Sequence, residues 1–134
     1  MDQKAARTAV AKAFRAHKIA LRKGHWRLAG TEVQWYVDLR SAGPRPDAAL
    51  HFEVGGWLPA LDQPEPEGGA VDCPLLVDVP LDTAGGAGDV AAAVDALVAL
   101  LSGVGTLAEL RAALEGPAFT DAIVDRDLRT LLGR

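Results

Sequence analysis

Two histidines and two carboxylates stand in three short stretches of this chain: His25 in GHWRL, Asp38 in VQWYVDLR, and His51 with Glu53 in HFEV. In extended backbone, side chains two residues apart point to the same side. His51 and Glu53 therefore face one way, and neighbouring strands would add His25 and Asp38 to the same surface. Imidazole and carboxylate together form the donor set of a divalent-metal or an acid–base site. The competing reading is cross-strand charge pairing on a solvated face, which also discourages edge-to-edge aggregation. Nothing in the sequence buries these groups or sets their register, and the charge-paired surface is the reading favoured.

The other chemical candidates fall away on spacing. His51-Phe52-Glu53 reproduces the H-x-E half of a zinc-deaminase signature, but that chemistry needs a later C-x-x-C pair. This chain has Cys73 followed by Pro74 and no second thiol. Ser41 and Ser102 lie in no G-x-S-x-G elbow, and Cys73 reads as a packed or half-exposed thiol. Gly85-Gly86-Ala87-Gly88 suggests a phosphate cradle, yet no Lys-Ser or Lys-Thr follows it. The aromatics are the better indication. Tyr36 falls mid-strand on the polar side, and Trp57 follows a Gly-Gly break. Aromatic anchors with a charged rim suit an interface. The surface candidates for binding are thus Tyr36, Asp38, Arg40, His51, Glu53 and Trp57. No catalytic residue, metal ligand or cofactor is assigned.

Such a surface requires a sheet, and the clearest sheet signal is TEVQWYVDLR at 31–40. Val33, Trp35, Val37 and Leu39 alternate with Gln34, Tyr36, Asp38 and Arg40, the period of a half-buried strand. A strand at 25–28 precedes it, with Trp26 and Leu28 inward, and Ala29-Gly30 makes the turn. SAGPRPD at 41–47 is turn material. The next strand runs from Ala49 to Val54, with Leu50, Phe52 and Val54 inward, and Gly55-Gly56 ends it. Residues 58–73 form a long Pro/Gly/acid loop. A fourth strand, Leu75 to Val79, lies between Pro74 and Pro80, which places it at a sheet edge.

Helices flank the strands. Ala6, Val10, Ala13 and Phe14 make one stripe of a helix over 3–18. Asp89 is placed to cap a helix from Val90 to Leu101, whose stripe is Val90, Val94, Leu97 and Leu101, with Gly103 closing it. Thr106 and Glu109 have capping-box spacing for a helix carrying Leu107, Leu110 and Leu114. Gly116-Pro117 stops that helix, and Thr120 is placed to cap a last one with Val124, Leu128 and Leu131 inward. The expected fold is α+β over residues 1–134 as a single domain. An antiparallel sheet of three to four strands carries the N-terminal helix and the C-terminal helices on one face, leaving the other polar.

Hydrophobic residues make up 49% and charged residues 24% of the chain, as in ordinary globular proteins. The net charge of −4 is unevenly spread. Residues 1–40 hold nine Lys and Arg against three Asp and Glu, and the remainder five against fifteen. The acidic majority argues against nucleic acid, whose binding needs a basic footprint. It leaves a choice between internal attraction to the basic first helix and a polar partner surface. No apolar run reaches the ~20 residues of a membrane span. Lys4, Arg7, Lys12 and Arg15 interrupt any signal-peptide core, so a cytoplasmic location is expected.

The order LRKGHWRL, VQWYVDLR, HFEVGGWLP resembles the bacterial family named domain of unknown function 4304, over about residues 5–60. Its members begin with a helix, then a basic-glycine-aromatic strand, a strand with a polar end and a strand closing on glycine. Asp38 and Arg40 stand where that family tends to have Asn and Gln. The resemblance implies the α+β architecture and, the family being uncharacterised, no activity.

The function expected is that of a non-catalytic binding or interaction protein, an immunity or antitoxin-like partner of a protein with a basic surface. One alternative is a small-molecule binder using a pocket between the sheet and the C-terminal helices, with Trp57 and loop 58–73 as lid. The other is a metal-dependent hydrolase using His25, Asp38, His51 and Glu53. Oligomeric state is left open.

Overall fold

The alternation of TEVQWYVDLR is realised as a strand in the computed structural model, which describes residues 1–133. The chain runs α1 (Gln3–Ala16), β1 (Trp26–Ala29), β2 (Gln34–Ser41), β3 (Leu50–Trp57), a 3-10 turn at Gly69–Asp72, and β4 (Leu75–Leu81). It continues with α2 (Ala87–Ser102), α3 (Leu107–Ala113), a 3-10 turn at Pro117–Phe119, β5 (Ile123–Val124) and α4 (Arg126–Leu132). The five strands form one antiparallel sheet in the order β1-β2-β3-β4-β5. The expected α+β arrangement holds, with one strand more than expected. No helix among the described residues is long and apolar enough to cross a membrane.

One face of the sheet is the core. Trp26, Trp35, Val37, Leu39, Phe52, Val54, Leu75 and Val77 are buried there against Ala6, Val10, Phe14, Val90, Val94, Leu97 and Leu101 of α1 and α2. Phe14 stacks on Trp26 at 4.5 Å between ring centroids and meets Phe52 edge-on at 6.3 Å. Trp35 stacks on Phe119 at 5.9 Å, and its indole N–H donates to the Val104 carbonyl at 2.8 Å. That bond satisfies the polar tip of a fully buried ring.

The helix ends follow local chemistry. Asp2 caps α1 by accepting from the Ala5 N–H, and Thr106 with Glu109 forms the expected capping box on α3. Gly86 rather than Asp89 is the N-cap of α2, which leaves Asp89 in the first turn, where a carboxylate suits the helix dipole. Val124, expected inside a last helix, instead pairs with Leu75 in β5. Asp125 then caps α4 by accepting from the Leu128 N–H. Only the first two residues of β4 gain this partner, so the rest of β4 remains an edge, as its prolines suggest.

Gly55 and Gly56 do not end β3. They sit inside it, paired with Tyr36 and Trp35, and the strand continues to Trp57. Helix propensity and turn signals treat a Gly-Gly pair as a break, but here each glycine makes room for what lies above it. A Cβ on Gly56 would come within 3.0 Å of the Trp35 ring, on the core side. A Cβ on Gly55 would come within 2.7 Å of Ala70 and of the Cys73 Sγ, on the other side.

Candidate functional site: the outward face of the sheet

Register sets out the outward face in rows. Arg27, Tyr36, Gly55, Leu76 and Ile123 form one row across β1 to β5. Asp38, Glu53 and Asp78 form the next across β2 to β4, and Arg40, His51 and Pro80 the third. One residue beyond the pair Trp26 and Val37, His25 stands opposite Asp38. The sequence-derived outward set is therefore brought together, but not as one wet surface. A strap formed by the segment between β3 and β4 crosses half of it.

Under the strap lie two of the candidates expected at the surface. Asp38 is 3% exposed and Tyr36 2% exposed, which corrects the expectation that both were surface binding residues. Asp38 accepts from the His25 Nδ1–H on one oxygen and from the Ala70 N–H, at 2.9 Å, on the other. A buried carboxylate is tolerated when its lone pairs are met in this way. Gly69 completes the closure. Its φ is +81°, which disfavours any side chain, and a Cβ there would strike His25 and the Asp38 carboxylate.

Tyr36 donates its hydroxyl to Glu65 at 3.2 Å. Arg27 pairs with the same Glu65 oxygen at 2.8 Å and lies over the Tyr36 ring, 5.0 Å from its centroid. Burial raises the Tyr36 pKa above its ordinary 10.0; the nearby Arg27 charge opposes that rise and Glu65 adds to it. Cys73 sits half-buried at the strap's end, with its Sγ 3.6 Å from the Gly69 carbonyl. Burial, with the Asp38 and Asp72 charges behind it, pushes its pKa up to about 12. Such a thiol is held in its protonated, weakly nucleophilic form.

The uncovered half holds the remaining candidates. Arg40 donates Nε–H to Glu53 at 2.9 Å and lies 4.0 Å from Asp38. The bond to Glu53 raises the Arg40 pKa despite some desolvation. His51 Nε2 is 3.9 Å from Asp78 Oδ1. One ligand atom from each of His51, Glu53 and Asp78 lies within 4.8 Å of the other two. A cleft of about 380 Å³ opens beside them, lined by His51, Leu76, Asp78, Pro80, Asp121 and Ile123. The proposed set His25, Asp38, His51 and Glu53 does not converge, because Asp38 uses both oxygens on His25 and Ala70.

Asp78 was the residue missing from the sequence reading. Its signal was present: Leu75, Val77 and Val79 alternate inward, so Asp78 must face outward, and only the register shows that it stands opposite Glu53. Trp57 ends β3 on the outward face beside Gln34, half-buried, with its indole nitrogen enclosed and without a hydrogen-bond partner. Within loop 58–73, Gly69 and Ala70 rest on the outward face over His25 and Asp38, whereas Leu58 and Leu61 are buried in the core and Gln63 donates to Asp125 and Asp127 at the start of α4.

No family model, no curated protein and no solved structure matches this chain. Its function is accordingly read from its own residues.

Proposed function

We propose that the protein is a non-catalytic binding partner of a protein with a basic surface, and that it docks through the outward side of its sheet. One observation carries this reading. Two exposed apolar side chains, Val71 at 56% and Ile123 at 69%, stand on that side among Glu53, Glu65, Glu67, Asp72, Asp78 and Asp121. Apolar anchors inside a rim of one sign are the composition of an electrostatically steered interface.

The charge is only partly neutralised from within. Arg27 pairs with Glu65 and Arg40 with Glu53, so the excess negative charge of this face rests on Glu67, Asp72, Asp78 and Asp121. Lys4, Arg7, Lys12 and Arg15 of α1 make no close ion pair among the described residues, and the one contact from the end of that helix to an acid is His17 with Asp95 at 2.6 Å. An immunity or antitoxin-like role fits such a surface, since those proteins meet basic partners by long-range attraction.

The test is affinity capture from the native lysate with wild type and with the double reversal Glu67→Lys/Asp121→Lys, at low and at high salt. A basic protein retained by wild type at low salt, released by salt and lost from the reversed variant is the expected result. Equal recovery by both proteins, or none by either, would sink the reading.

A further inference from the structure

The second outward row sets like charges side by side. Glu53 stands directly across from Asp78, and Asp38 directly across from Glu53. Side chains so paired lie about 5 Å apart at Cβ, and like charges in that position work against the sheet. Asp38 is relieved by His25 and the strap. Glu53 is relieved on one oxygen by Arg40. Asp78 has only His51, at 3.9 Å, with the cleft in front of it.

From this arrangement we infer a divalent transition-metal site formed by His51, Glu53 and Asp78. Three features favour a metal over a chance cluster. First, the donors are of two kinds, one imidazole nitrogen and two carboxylates, the mixture that suits zinc and manganese better than calcium or magnesium. Second, the ligands rise from two hydrogen-bonded strands in fixed register, so the backbone already orders them. Third, Arg40 holds Glu53 by one oxygen and leaves the other free, the outer-shell support that ligating carboxylates commonly receive.

Donor atoms bonded at about 2.0–2.2 Å to one ion lie roughly 3–4 Å apart. The ligand atoms lie within 4.8 Å of one another, and side-chain rotation of roughly 1 Å, with Asp78 exposed and His51 and Glu53 partly so, brings them to that spacing without moving the strands. Three protein ligands leave coordination positions open toward the cleft, where water or a ligand oxygen completes the shell. The site shares Glu53 and Asp78 with the acidic rim of the partner reading, but its tests use purified protein and metal alone, so the two can fail separately.

Two measurements decide it. Zn²⁺ added to metal-free protein should raise Tm, whereas Mg²⁺ and Ca²⁺ should not. His51→Ala or Asp78→Asn should weaken Zn²⁺ binding by roughly tenfold or more, since loss of even an outer-shell partner costs about that much. On wild type alone, substoichiometric Mn²⁺ should broaden the His51 ring resonances in preference to those of His17 and His25. Absence of a Zn²⁺ effect, an equal effect in both variants, an equal response to Ca²⁺, or broadening centred on His17 or His25 would each overturn the site.

Discussion

The carboxylate of Asp38, on strand β2, accepts the backbone N–H of Ala70 at 2.9 Å, joining residues 32 positions apart in sequence. This bond, with the His25 pair on the other oxygen, anchors the strap to the sheet. It turns an expected surface acid into a buried structural one.

Replacing Asp38 by Ala should therefore destabilise the fold rather than only change its surface. It leaves the buried Ala70 N–H and the His25 ring without their acceptor, a loss of about 1–3 kcal/mol. Urea unfolding of wild type and Asp38→Ala should show that drop. Hydrogen exchange at Ala70 should rise more than exchange in the middle of β2.

Gly55→Ala tests the contact from below. The added Cβ meets Ala70 backbone and the Cys73 Sγ at 2.7 Å, and overpacking against backbone costs about 1–3 kcal/mol. The strap should lift, and Cys73 should react with a thiol reagent severalfold faster than in wild type. An unchanged rate would mean that the strap does not rest on Gly55.

Cys73 also imposes a pH dependence. Its folded pKa is raised from 9.0 to about 12, so between those values the unfolded chain has lost a proton that the folded chain retains. Stability therefore falls as pH rises above about 9 and levels off only near 12. Cys73→Ala should remove that part of the decline. Unfolding midpoints measured for both proteins below and above pH 9 should diverge, with wild type losing more.

Two of the three indoles give a matched pair. Trp35 donates to Val104 at 2.8 Å, while the enclosed Trp57 nitrogen has no partner. Trp35→Phe should cost about 1–3 kcal/mol, because it strands a buried carbonyl as well as losing ring area. Trp57→Phe should leave stability unchanged or slightly raised, because the indole donor there satisfies nothing. Equal losses at the two positions would contradict this account.

Much of the layout was legible because it is local. Val33, Trp35, Val37 and Leu39 announce a strand whatever surrounds them, and Ala6, Val10, Ala13 and Phe14 announce a helix face. Thr106 and Glu109 specify a cap within a single turn. Gly55-Gly56 misled for the opposite reason: glycine was read as a turn signal, when it was needed for clearance beneath Ala70 and beside Trp35. Val124 misled because its helical spacing to Leu128 was outweighed by the free edge of β4.

The amino-acid sequence by itself determined which side of each strand is oily and which is polar, since alternation and helical periodicity depend only on neighbouring residues. Only the tertiary structure decided that Tyr36 and Asp38 are roofed while His51, Glu53 and Asp78 remain open. Cover depends on where a segment comes to rest after leaving β3, and pairing across strands depends on register. Both are set by contacts between residues far apart in the chain, which no local pattern encodes.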